Sequence, residues 1–131
     1  MTIRKLFFGA IGAMAIVLST LTATATPARA DCYRPNCWGA IAFNRYTHSW
    51  GRALNYPNMW SARNAANYRC SGSCIVIHFR NACGAVYVSG NGYGWATRAY
   101  HNSAKSAAYW SCRQRNGYCS FLLSGCTARQ F

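Results

Sequence analysis

The sequence has almost no acid. Among 131 residues there is one Asp or Glu, against 14 Lys and Arg. The single carboxylate is Asp31, with no second acid to pair with. Its isolation excludes the paired carboxylates of glycoside hydrolysis. It likewise excludes aspartic-protease dyads, carboxylate calcium loops and a complete Ser-His-Asp triad. No Gly-x-x-x-x-Gly-Lys phosphate loop and no Cys-x-x-Cys pair occur. Outside the first thirty residues no apolar run is long enough to cross a bilayer, which takes about 20 residues. A cationic amphipathic helix is also missing, and the arginines are spread along the chain, so a focused nucleic-acid groove is not indicated.

The start of the chain is different. Arg4 and Lys5 precede an apolar run from Leu6 to about Leu21, and Ala28-Arg29-Ala30 follows. A basic segment, an apolar segment and an A-x-A site make a secretory signal peptide over residues 1–30, cleaved after Ala30. The mature chain, 31–131, then reads as one domain. It keeps eleven cations, ten of them Arg, and the one acid, so its net charge is +10. All eight cysteines fall in it. An exported small chain with an even cysteine count reads as a disulfide framework in a secreted, periplasmic or envelope protein.

What the chain has in quantity is internal repetition. Ser61-Ala62-Arg63-Asn64-Ala65-Ala66-Asn67-Tyr68-Arg69-Cys70 returns as Ser103-Ala104-Lys105-Ser106-Ala107-Ala108-Tyr109-Trp110-Ser111-Cys112. The shared small residues fall at i, i+3, i+4 and i+8, one face of an α-helix. Asn58 and Asn102 are the expected N-caps. Trp38-Gly39-Ala40-Ile41-Ala42-Phe43 matches Cys83-Gly84-Ala85-Val86-Tyr87-Val88 as a first strand, and Trp50 matches Trp95 on a second. Asn91-Gly92 marks a tight hairpin turn in the second unit, where the first has the longer polar turn Asn44–His48. The helices follow at a shorter offset, which places three extra residues of the first unit around Tyr56-Pro57. A third strand comes next, Cys74–Phe79 in one unit and Cys119–Leu123 in the other. The expected fold is α+β: two pseudo-symmetric β-hairpin–helix–strand repeats, about 38–82 and 83–126, with some six antiparallel strands and two helices.

The repeat also selects among cysteine pairings. Cys70 with Cys74 and Cys112 with Cys119 hold equivalent places after each helix. Cys83 and Cys126 follow the third strands, which leaves Cys32 with Cys37. No metal and no cofactor are expected.

Gly39-Ala40-Ile41-Ala42, the Trp50 strand, Tyr56-Pro57 before an Ala-rich helix, Cys70…Cys74 and Cys83-Gly84-Ala85-Val86 together resemble the bacterial secreted family named domain of unknown function 4189. The resemblance runs from about Trp38 to Cys126. It implies an exported domain and carries no catalytic residues to transfer.

Arginine makes bidentate contacts to phosphate and carboxylate and stacks on aromatic rings. Eighteen mature residues are aromatic. The composition therefore favours a binding module for an anionic polymer, a lipid surface or a host or envelope protein, and not an enzyme. Its candidate surface is Arg52, Arg63, Arg98, Lys105, Arg113, Trp60 and Trp110; Trp38, Trp50 and Trp95 are expected in the core or on sheet faces. A cationic membrane-active or toxin-like protein is the first alternative. The second is a histidine nuclease, which needs two of His48, His78 and His101 within about 7 Å of each other. None of the three recurs in the partner unit, where Tyr93, Leu123 and Met59 are the expected counterparts.

Overall fold

The computed structural model describes residue 32 and residues 36–127. The leader and Asp31 lie outside the described residues. The elements are β1 (Trp38–Phe43), β2 (Trp50–Tyr56), α1 (Met59–Tyr68), β3 (Ile75–Arg80), β4 (Cys83–Ser89), β5 (Gly92–Arg98), α2 (His101–Arg113) and β6 (Ser120–Cys126). Each unit forms a three-stranded antiparallel sheet with its first strand in the centre, in the order β2-β1-β3 and β5-β4-β6.

Strand alternation explains how the layers stack. In β1, Ala40 and Ala42 point to one face and pack against Ala62, Ala66 and Cys70 of the α1 segment. Ile41 and Phe43 point to the other face and meet Val86, Val88 and Leu123 of the second sheet. Ala85 and Ala96 in turn lie against Ala104 and Ala108 of α2. The result is four layers, helix–sheet–sheet–helix, with alanine at both helix–sheet seams and branched or aromatic side chains between the sheets. Small side chains allow the helices to approach closely, and the larger ones fill the inter-sheet space. The recurrent Gly39 and Gly84 clasp one ring: a Cβ on either would come within 2.5–2.6 Å of Phe79.

The ladders relocate the three extra residues. Phe43 pairs with Trp50, whereas Val88 pairs with Tyr93, so the first hairpin turn is longer by two. The third is a bulge in β2, between the Ala40–Ala53 and Trp38–Tyr56 pairs, where Asn55 takes a positive φ of 64°. None lies beyond Tyr56. Trp50 therefore corresponds to Tyr93, and Trp95 to Arg52. A second bulge, in β6, makes Ser124 the counterpart of His78, both opposite the alanine of a central strand.

Asn58 caps α1 as expected, with its Oδ1 accepting from the Ser61 N–H at 2.9 Å. Asn102 does not cap α2. Two residues link strand to helix in both units, so α2 starts at His101, its N-cap is Tyr100, and Asn102 falls inside the first turn. Tyr100 gives no side-chain cap. The disulfides are Cys32–Cys37, Cys70–Cys74, Cys83–Cys126 and Cys112–Cys119. Cys83 and Cys126 are direct cross-strand neighbours in the second sheet.

Candidate functional site

The described residues contain no carboxylate side chain, so their cations rest on other groups. Two cation–aromatic patches form, one on each outer side of the sandwich. On the α1 side, the Arg63 guanidinium lies 6.0 Å from the Trp60 ring and donates to the Val76 carbonyl at 3.3 Å. Its Nη1 also donates to Nδ1 of His78 at 3.0 Å. A guanidinium cannot accept, so Nδ1 accepts and the neutral imidazole carries its proton on Nε2. His78 packs against Trp38, with ring centres 5.9 Å apart, and Arg80 covers Trp38 at 5.5 Å. Partial desolvation, and then the Arg63 charge, hold the His78 pKa below its usual value.

On the α2 side a run of rings takes the equivalent place. Phe121, Tyr87, Tyr109 and Trp110 meet edge to face at 5.1–5.5 Å. Lys105, the counterpart of Arg63, sits 4.9 Å from the Phe121 ring. Arg113 lies over Tyr109 and donates to its hydroxyl at 2.8 Å. Trp60 and Trp110 are exposed, at 65% and 56%.

The seven residues singled out from the sequence thus do not share one face. Arg63 and Trp60 belong to the α1 patch, and Lys105, Arg113 and Trp110 to the α2 patch. Arg52 reaches from β2 across to the Ser124 carbonyl, 2.7 Å away, and ties the two sheets together. Arg98 is exposed at the end of β5 and donates to the neighbouring Thr97 carbonyl. Trp50 and Trp95 lie on the inter-sheet faces of edge strands, yet are 45% and 43% exposed. The histidines occupy three separate settings. His48 bonds the Gly90 carbonyl at 2.9 Å, His78 is held by Arg63, and His101 bonds the Ser124 hydroxyl at 2.7 Å.

A third cationic feature was missed in the sequence. A surface pocket of about 190 Å³ is lined by Arg45, Gly92, Tyr93, Arg115 and Asn116. Arg45 comes from the first hairpin turn; its Nε donates to the Asn91 carbonyl at 2.7 Å and its guanidinium covers the Tyr93 ring at 4.9 Å. The signal that could have found it is the difference in length between the two units, since its residues lie on or beside the unrepeated segments.

Fold and surface together define a disulfide-stapled, four-layer α+β module, most of whose described cations are paired with rings and carbonyls. The profile of "Domain of unknown function (DUF4189)" matches residues 38–126, and the chain belongs to that family. The fold is similar to the NMR structure of Rv1813c from Mycobacterium tuberculosis, with a TM-score of 0.55 at 18% identity, over 96% of this chain and 98% of that one. At that identity the likeness concerns the fold. No curated protein matches the sequence.

Proposed function

We propose that the chain is an exported binding module, not an enzyme, that engages an anionic polymer or surface through its two cation–aromatic patches. The observation that carries this reading is the absence of internal counter-charge: the described residues hold cations on exposed or half-buried rings, with no carboxylate to neutralise them. A guanidinium or ammonium stacked on a ring keeps donors available to phosphate or carboxylate, and the ring adds a stacking surface. The basic leader, the A-x-A site and four disulfides support export to an oxidising compartment. The three separate histidine settings give no support to an acid–base pair.

The test is binding of the oxidised mature chain to RNA, DNA, anionic vesicles and envelope polymers at low salt and at about 0.5 M, where charge is screened beyond a few ångströms. Binding to one class that survives salt, and that weakens in W60A/R63Q or K105Q/W110A, is the expected result. Equal binding to every polyanion at low salt, with none at high salt, overturns the proposal of a shaped surface.

A further inference from the structure

The two units share one plan, so the places where they differ are not required by that plan. One difference is the first hairpin turn, longer by two residues than its counterpart. Another, besides the bulges in β2 and β6, is the loop closed by Cys112–Cys119, with a sequence separation of 7 against 4 for Cys70–Cys74. Both additions arrive at the same pocket. The turn supplies Arg45, and the loop supplies Arg115 and Asn116.

We infer that this pocket binds the phosphate group of a phosphoester. Arg45 is held in place before any ligand arrives. Its Nε is occupied by Asn91, and its plane covers Tyr93, whose ring is set edge-on against the core residue Phe43 at 5.3 Å. The turn is tied to the second hairpin once more through His48 and Gly90. Fixing Nε this way leaves the two terminal nitrogens of Arg45 as donors. The Arg115 side chain, which is exposed, has no partner among the described residues. Asn116 spends its Nδ2 on the Cys112 carbonyl at 2.9 Å, which turns its Oδ1 toward Gly92 as an acceptor. The lining therefore offers two forked cations, one acceptor and no acid.

That set suits a tetrahedral oxyanion. One guanidinium fork satisfies both oxygens of a carboxylate, whereas a phosphate has oxygens for two forks from separate elements. Asn116 Oδ1 can accept from an adjoining hydroxyl or from a protonated phosphate oxygen. At about 190 Å³ the space is below the roughly 300–1,000 Å³ usual for a whole drug-sized ligand. The ligand is then a single phosphate on a larger molecule that extends into solvent. This inference rests on the anion-binding reading but assigns the ligand to a site apart from the two patches.

The test is an NMR titration of the ¹⁵N-labelled, oxidised mature chain at about 0.15 M salt. The probes are inorganic phosphate, glycerol 1-phosphate, a dialkyl phosphate and vesicles with anionic phospholipid headgroups. With the three soluble probes, saturable shifts confined to Arg45, Asn91–Tyr93, Arg115 and Asn116 are expected, with the esters binding at least as tightly as inorganic phosphate; vesicles should add shifts at the two patches. R115Q should weaken binding about tenfold or more and leave the rest of the spectrum unchanged, because Arg115 holds nothing in place. R98Q, at a residue outside both the pocket and the two patches, should leave phosphate binding as it is. Shifts at all arginines alike, or R115Q binding like the parent, overturn the inference. If polymers still bind through the patches while phosphate misses the pocket, this inference falls alone; if neither binds, the wider reading falls with it. Which ester binds best separates a soluble phosphoester from a lipid headgroup.

Discussion

A methyl group at Gly51 would run into the Ala66 carbonyl and the backbone of Arg69, and one at Gly94 into the backbone of Ser111 and Cys112. The two glycines are equivalent, since Gly51 pairs with Ala42 and Gly94 with Tyr87. Each marks where the end of a helix presses onto the second strand of its sheet. The obstacle is backbone in both cases, so no side chain can swing away. G51A and G94A are each expected to cost about 2–3 kcal/mol, at the upper end of the usual range for overpacking, as read from urea unfolding of the oxidised chain. At Gly90 nothing lies within 4 Å, but φ is +58°, so G90A should cost only about 1 kcal/mol of backbone strain. His78 supplies a pH dependence with a definite sign. Its folded pKa is lowered, so between the folded value and the ordinary 6.5 the unfolded chain binds more protons. This contribution to stability is complete above pH 6.5 and is lost as pH falls through the folded pKa. Imidazole NMR titration should show His78 titrating below 6.5, and R63Q should move it upward. A His78 pKa at or above 6.5 in the parent would contradict the Arg63–His78 arrangement.

Among the elements, the helices were the most legible in the sequence, because an alanine stripe at helical spacing has one meaning and it occurs twice. The first and third strands were legible within a few residues for the same reason. The bulges were not: one inserted residue leaves composition unchanged and shows only in which residues pair. The bulge in β6 is why His78 is matched to Leu123 rather than Ser124, and the two extra residues of the first hairpin turn are why Trp50 is matched to Trp95 rather than Tyr93. Asn102 was a cap by residue type, yet the two-residue link to α2 sets the helix start before it. The candidate cations were legible as residue types, but their division between two outer layers depends on the sheets packing face to face, which no local pattern encodes. The working cap makes its own prediction: N58A should cost about 1 kcal/mol by leaving the Ser61 N–H without its acceptor. Among the disulfides the loop-entropy relation gives about 4 kcal/mol for Cys83–Cys126, with a separation of 43, and about 2 for Cys70–Cys74. C83A/C126A should therefore lower the unfolding midpoint well beyond C70A/C74A. Equal losses would mean that native packing around the pairs, and not chain closure, sets their contribution.

The whole molecule has two patches because it has two units, and they point apart because the helices occupy opposite outer layers. The α1 patch is formed by Trp38, Trp60, Arg63, His78 and Arg80, and the α2 patch by Tyr87, Lys105, Tyr109, Trp110, Arg113 and Phe121. Arg63 and Lys105 are the counterparts that anchor them. A small module with one binding face coats an anionic surface; one with two opposed faces can join two surfaces or two polymer chains. The gain comes from the second contact being made in place, at high effective concentration, with no new interaction needed. The mature chain should therefore clump anionic vesicles or polymer at sub-saturating ratios and release them when excess protein covers every site. K105Q/R113Q removes the charge of one patch and leaves the other intact. It should still bind, several-fold more weakly, while clumping measured by light scattering disappears. If that variant binds and clumps as the parent does, the two patches are not separate contacts. The net charge of the module would then act as a whole, and its opposed faces would have no part in how it meets its partner.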